Sequence, residues 1–167
     1  MKKSPSLQSR RTPKWLFDYL DGLFGPFRLD AFASPDAHLC DAFYTRDDNA
    51  YVHPWDDVTF ANPEFKDMES PLDTALRQAK FRGVRSIILA PAGCSQSWYR
   101  NLAIQGTIYL PDRRINYDLP DGTPTSGADR DTMIVAIGGE HANPRWKRGE
   151  FRVRRLTFDK FTPQTAA

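Results

Sequence analysis

The sequence predicts a single three-layer α/β domain built on a mixed sheet. Three observations carry that expectation. Strand-like apolar runs alternate with amphipathic helical segments up to about residue 103. Four strand-like runs then follow with no helix between them. Two of the early strands end in polar side chains, Asp30 and Asn62, where open α/β sheets bind ligands.

The elements follow in order. Residues 1–11 are polar and basic, with one early proline, and read as a disordered tail. Thr12 then reads as a helix N-cap and Pro13 as the first helical position. Leu16, Phe17, Leu20, Leu23 and Phe24 recur at helical spacing, and Gly22 and Gly25 mark the far end. Residues 27–34 read as a short strand that ends in an acid, Asp30, and small residues, with Ala31, Ala33 and Ser34 letting a ligand approach closely. Residues 39–45 read as a second strand, followed by the acids Asp47 and Asp48. An acid about 20 residues past the first βα turn often holds a ribose hydroxyl pair, although an acidic turn has the same composition. Residues 58–61 are the third strand. Ser70 reads as an N-cap with Pro71 first in the helix, Asp73 closing a capping box, and Gly83 ending it. Residues 84–90 are a buried strand stopped by Pro91, and residues 97–103 a short helix. Strands are expected at 106–110, 115–119, 132–138 and 151–156. The loop 120–131 is long and rich in Gly, Pro and Asp, which suggests a functional role. The domain spans residues 12–158, and residues 159–167 form a C-terminal tail.

Composition narrows the function. With 40% hydrophobic and 26% charged residues, the chain is ordinary for a soluble protein. No apolar run approaches the roughly 20 residues that span a bilayer, so no membrane partner is expected. The basic N-terminus has no leader-like apolar core behind it, so a cytoplasmic location is expected. The two cysteines, Cys40 and Cys94, form no Cys-x-x-Cys pair, and the three histidines show no ligand spacing, so no metal is expected. Gly-x-Gly-x-x-Gly is absent, which disfavours a nicotinamide or flavin cofactor, and there is no phosphate loop of the Walker type. Gly-x-Ser-x-Gly is absent as well. The net charge of +2 is unevenly placed. Residues 15–75 hold only Arg28, Arg46 and Lys66 as basic residues, whereas residues 145–155 are strongly basic. That asymmetry suggests a cationic face for phosphate.

Asn62-Pro63-Glu64-Phe65 ends the third strand. Alone, it reads as an Asn-Pro turn. It also places an amide, a bent backbone with a free carbonyl and an aromatic ring at one strand end. Those groups could hold a planar base that carries an amino group.

An Asp-ending first strand followed by an Asn-Pro-x-aromatic strand end resembles the AdoMet-dependent amino-methyltransferases. More narrowly, the chain is similar to the phage-type DNA N-6-adenine methyltransferase (Dam) family. The similarity runs through Thr12-Pro13-x-Trp15-Leu16-Phe17, the segment from Phe24 to Ala33, Phe43-Tyr44-Thr45, Trp55 and Phe60-Ala61-Asn62-Pro63-Glu64-Phe65. It continues through Ile88-Leu89-Ala90-Pro91-Ala92, Trp98-Tyr99 and Arg113-Arg114-Ile115-Asn116-Tyr117, covering roughly residues 12–138.

The resemblance implies a methyltransferase-like (Rossmann-like) fold. It also implies transfer of a methyl group from S-adenosyl-L-methionine (AdoMet) to the 6-amino group of adenine in double-stranded DNA, at a specific site. It implies that Asn62, Pro63, Glu64 and Phe65 carry catalysis: Asn62 and the Pro63 carbonyl accept the two amine hydrogens, and Phe65 stacks on a flipped base. It places the cofactor at Thr12, Pro13, Trp15, Asp30, Ala31, Phe32, Ala33 and Asp48. DNA phosphates would meet Arg113, Arg114, Arg145, Lys147, Arg148 and Arg152. A monomer or weak dimer in the host bacterial cytoplasm, masking phage DNA from restriction, completes the expectation. Glu64 departs from the pattern, because the family usually has a second proline there. Its charge could favour the sulfonium, accept a hydrogen bond from the amine, or block the base. The alternative is therefore a methyltransferase-fold protein that binds AdoMet or DNA with catalysis lost through Glu64.

Overall fold

The structure, a computed structural model, describes residues 10–126 and 130–158. The tail segments 1–9 and 159–167, and part of the 120–131 loop, lie outside the described residues.

Helix α1 (Lys14–Phe24) precedes three short strands, β1 (Leu29–Asp30), β2 (Ala42–Phe43) and β3 (Val58–Ala61). Helix α2 (Glu69–Arg82), strand β4 (Arg85–Pro91) and helix α3 (Ser97–Asn101) follow. The chain then forms β5 (Thr107–Pro111), β6 (Thr132–Ile137) and β7 (Val153–Leu156). The seven strands make one sheet in the order β2-β1-β3-β4-β6-β5-β7. The first four are mutually parallel. Strand β6 runs antiparallel between β4 and β5, and β7 is parallel to β5. The sheet is thus mixed, as the change in sequence pattern after residue 103 predicts.

Alternation along the central strands builds two cores. Ile88 and Ala90 of β4, with Met133, Val135 and Ile137 of β6, pack with Leu72 and Ala75 of α2 and with Tyr99 of α3. Ile87 and Leu89, with Ile134 and Ala136, pack with Leu16, Phe17 and Leu20 of α1. Successive strand residues face opposite sides, so a helix layer covers each face. Phe60 of β3 is fully buried, with the Phe17 ring edge-on at 5.2 Å, and it anchors the strand directly below Asn62. Cutting such a ring back to alanine costs about 3–5 kcal/mol.

The helix starts differ from expectation. In α1 Pro13 occupies the N-cap position, and no side chain caps the helix. The Thr12 hydroxyl instead accepts a hydrogen bond from Asn62. In α2 the helix begins at Glu69, ahead of Ser70, and the Asp67 carboxylate accepts the Ser70 N–H at 3.1 Å. The far end behaves as predicted, with Gly83 in the left-handed conformation at φ 72°. The strand expected at 115–119 is a wall segment. Ile115 and Tyr117 are buried in the α1-side core, and Asp118 forms isolated bridges to Arg11 and Pro124. Arg11 therefore belongs to the folded domain, although its sequence context reads as tail. Among the described residues no helix is long and apolar enough to cross a membrane.

Candidate active site at the strand ends

Asp30, Asn62 and Pro91 end or follow parallel strands, so the topology brings their loops to one end of the sheet. A cleft of about 860 Å³ opens over the ends of β2, β1 and β3, lined by Thr12, Asp30, Phe32, Ala33, Asn62, Pro63, Glu64 and Phe65 among others. That volume lies within the range of small-molecule sites, about 300–1,000 Å³. A second cleft of about 600 Å³ opens on the β4 side, lined by Phe65, Pro91, Ala92, Gly93, Gln96, Trp98 and Asp131. Phe65, Lys66, Asp67 and Arg130 border both clefts. Phe65–Asp67 and Arg130 thus separate the row of strand ends into two chambers, and Asn62, Pro63 and Glu64 line the first of them.

The Asn62 amide is oriented by its neighbour. Its Nδ2 donates to Thr12 Oγ1 at 2.9 Å. The amide oxygen is then the group left to accept, and no described residue donates to it or to the Pro63 carbonyl. Phe65 packs against both cores and stands edge-on to Tyr117 at 6.1 Å. Tyr117 in turn shares a hydrogen bond with Thr132 at 3.1 Å, and burial pushes its phenol pKa up.

Asp30 is 3% exposed. Its carboxylate accepts the Leu39 N–H at 3.1 Å, while its backbone pairs with Tyr44. Burial pushes the Asp30 carboxyl up to about 6, against the opposing pull of the Leu39 and Phe32 N–H groups and of His38. Such an acid favours a ligand that brings hydroxyl donors or positive charge.

Glu64 does not stand alone in the cleft. Its Oε1 accepts from Arg46 Nη2 at 2.7 Å, and its Oε2 lies 2.5 Å from Lys66 Nζ. The carboxylate is neutralised from both sides. Its carbonyl accepts the Asp67 N–H at 3.3 Å, closing a turn around Phe65 and Lys66.

Several residues singled out in the sequence are not brought to the cleft lining. Trp15 packs edge-on against Phe158 at 5.3 Å, on the α1-side core. Pro13 serves the helix start, its carbonyl accepting the Leu16 and Phe17 N–H groups. Ala31 is buried, with its N–H on the Phe60 carbonyl. Asp48 folds back on Thr45, accepting both its N–H and its hydroxyl at 2.7 Å, and these bonds hold its carboxyl below the usual range. Arg46, Asn49 and Tyr51 of the same loop line the cleft instead.

The cationic residues separate by end. Arg113 and Arg114 follow β5 on the cleft side, where Arg114 pairs with Asp131 at 2.8 Å. Arg145, Lys147, Arg148 and Arg152 precede β7, and β7 starts level with the start of β5. They therefore lie at the opposite end of the sheet. There Arg152 donates to the Glu140 and Ala142 carbonyls, and Arg145 pairs with Glu150. Charge counting alone did not single out Arg130, which borders both clefts. Arg46 and Lys66 did carry a signal, as two of only three basic residues in the acidic stretch 15–75.

The sequence pattern of the family described as DNA N-6-adenine-methyltransferase (Dam) matches residues 3–146. The chain is 40% identical over 62 residues to "Putative methyltransferase YfdM" of Escherichia coli (strain K12), covering 33% of this chain and 68% of that protein. It is 28% identical over 90 residues to "DNA N-6-adenine-methyltransferase" of Escherichia phage T1, covering 53% of this chain. That match spans only 37% of the phage protein. No solved structure matches the chain.

Proposed function

We propose, from the premise that this chain belongs to the DNA N-6-adenine-methyltransferase (Dam) family, that it transfers a methyl group from AdoMet to the 6-amino group of adenine in DNA at a defined sequence. The family and the mixed sheet between helix layers agree on a methyltransferase-like α/β fold. The observation that carries the finer reading is the oriented Asn62 amide, with Thr12 on its nitrogen and its oxygen left to accept.

The residues fit a methyl donor of this kind. Asp30 is a buried acid at the end of β1 with only backbone donors on its carboxylate among the described residues, and Phe32, Ala33 and Tyr51 line the same cleft. Asp30 would hold a hydroxyl or cationic part of AdoMet, and Phe32 and Tyr51 would supply flat apolar walls. When bound, AdoMet supplies an electrophilic methyl group on a sulfonium.

The protein's part is to make a poor nucleophile better. The 6-amino lone pair of adenine is drawn into the ring. Asn62 Oδ1 and the Pro63 carbonyl accept the two amine hydrogens and so localise that lone pair on nitrogen. Phe65 stacks on the base, which has to leave the duplex to be reached. The flipped nucleotide would enter through the chamber lined by Phe65, Gln96 and Trp98 and reach past Phe65 to the acceptors, which line the donor cleft. Lys66, Arg113, Arg114 and Arg130 meet phosphates on this side of the sheet, fixing position without reading sequence. Fixed acceptors and positioning account for the rate. Because Arg46 and Lys66 neutralise Glu64, its charge does not oppose the base, which favours activity over a catalytically silent fold.

The test is incubation of the purified chain with methyl-labelled AdoMet and unmethylated duplex DNA. The expected result is label in N6-methyladenine within one sequence context. AdoMet binding by calorimetry with no label in any DNA would refute the reading.

A further inference from the structure

Resting on the reading above, we infer that Glu64 is a positioning residue that ties the two loops flanking the donor cleft together across the end of β1. Arg46 belongs to the loop after β2, and Glu64 to the loop after β3. Strand β1 lies between those two strands in the sheet. The Arg46–Glu64 pair at 2.7 Å therefore passes over the strand end that carries Asp30, and all three residues line the same cleft. The second carboxylate oxygen, on Lys66, ties the strap to the turn that carries Phe65.

Chemistry gives this arrangement a purpose. A proline at position 64 would stiffen the turn by fixing its own backbone dihedral and would reach nothing else. Glutamate leaves the backbone freer. It replaces that stiffness with a cross-link from the acceptor turn to the donor-side loop. Binding of the donor and positioning of the Asn62 and Pro63 acceptors are then coupled through one side chain. Arg46 is 78% exposed and Glu64 33%, so the pair is screened by salt and its effect is modest.

The experiment is a double-mutant cycle on AdoMet affinity, using Glu64→Gln, Arg46→Met and the pair together. Calorimetry is run at about 0.05 M and about 1 M salt, because the Debye length falls to about 3 Å at the higher value. Each single variant is expected to weaken AdoMet binding about two- to fivefold at low salt. The double variant should be no weaker than either single one, and the differences should close at high salt. Hydrogen exchange without ligand adds a readout independent of binding. Backbone amides of residues 45–51 and 63–67 should exchange faster in Glu64→Gln, with α1 and β4 unchanged. Additive effects in the cycle, or unchanged exchange in both loops, would overturn the strap. Failure of the wild-type chain to bind AdoMet would instead strike the functional proposal, and the exchange comparison would still decide the strap.

Discussion

Replacing Thr12 by valine isolates the contact that orients the acceptor. Valine keeps the shape of threonine and removes only the hydroxyl that accepts from Asn62 at 2.9 Å. Thr12 is 9% exposed, so water replaces that oxygen poorly. Leaving a buried donor without its partner costs about 1–3 kcal/mol, and the half-buried Asn62 amide puts this case at the lower end, about 1–2 kcal/mol. Without Thr12 the amide is also free to turn its nitrogen toward the base, where it can donate but not accept. A bias of that size toward the turned amide leaves a small competent fraction, so the single-turnover rate should drop roughly five- to thirtyfold. AdoMet affinity, measured by calorimetry, should move by less than about twofold. Thr12→Ser, which restores the acceptor, should recover most of the rate. The assay is single-turnover methyl transfer to a duplex, with protein in excess. A Thr12→Val protein whose rate matches the wild type, or whose defect lies wholly in AdoMet affinity, would refute the orienting role.

Three other outcomes follow from the geometry. Asn62→Ala should lower the single-turnover rate about 10²–10³-fold, the usual scale for one pre-organised electrostatic contact, while calorimetry shows AdoMet still bound. Asp30→Asn tests burial through pH. The folded-state carboxyl sits at about 6, above its unfolded value of about 3.9, so between those values the folded state binds the proton more tightly. Stability therefore falls as pH rises through that window, and the charged acid costs on the order of 3 kcal/mol at neutral pH. Thermal melts should show Asp30→Asn raising Tm near neutral pH and leaving it nearly unchanged near pH 4. AdoMet affinity of the wild type should weaken as pH drops through about 6. For DNA, replacing Arg114 and Arg130 by alanine should flatten the salt dependence of binding by about two logarithmic slope units, read by fluorescence anisotropy. Replacing Lys147 and Arg148 should leave that slope where it was.

What the sequence revealed was local. The spacing of Leu16, Phe17 and Leu20 and the unbroken run of β4 depend on periodicity, and both elements formed where periodicity put them. The resemblance at Asn62-Pro63-Glu64-Phe65 likewise needed only neighbouring residues. What stayed hidden depends on distant partners. Thr12 has the composition of a helix cap, yet its hydroxyl answers to an amide 50 residues away. Ser70 has the same composition, and Asp67 takes the capping role because the helix starts earlier. The basic run before β7 reads as a phosphate face until the register with β5 sets it at the far end of the sheet. Glu64 reads as an intrusion until Arg46 and Lys66 are placed on its two oxygens. One-dimensional charge carries no information about which strand end a residue reaches.

The bridge between Arg11 and Asp118 joins the first described segment to the loop that walls the cleft, with paired backbone hydrogen bonds of 2.8 and 2.9 Å. Together with the Thr12–Asn62 bond, it makes the cleft an assembly of parts drawn from widely separated points of the chain. Contacts of that kind close late in folding, because loop-closure entropy has to be met first, and they open early under stress. The expected order under stress is therefore loss of the site before loss of the sheet. Mild denaturant should silence the protein at concentrations where its circular dichroism is still native, and activity lost that way should return within the time a surface segment takes to re-dock.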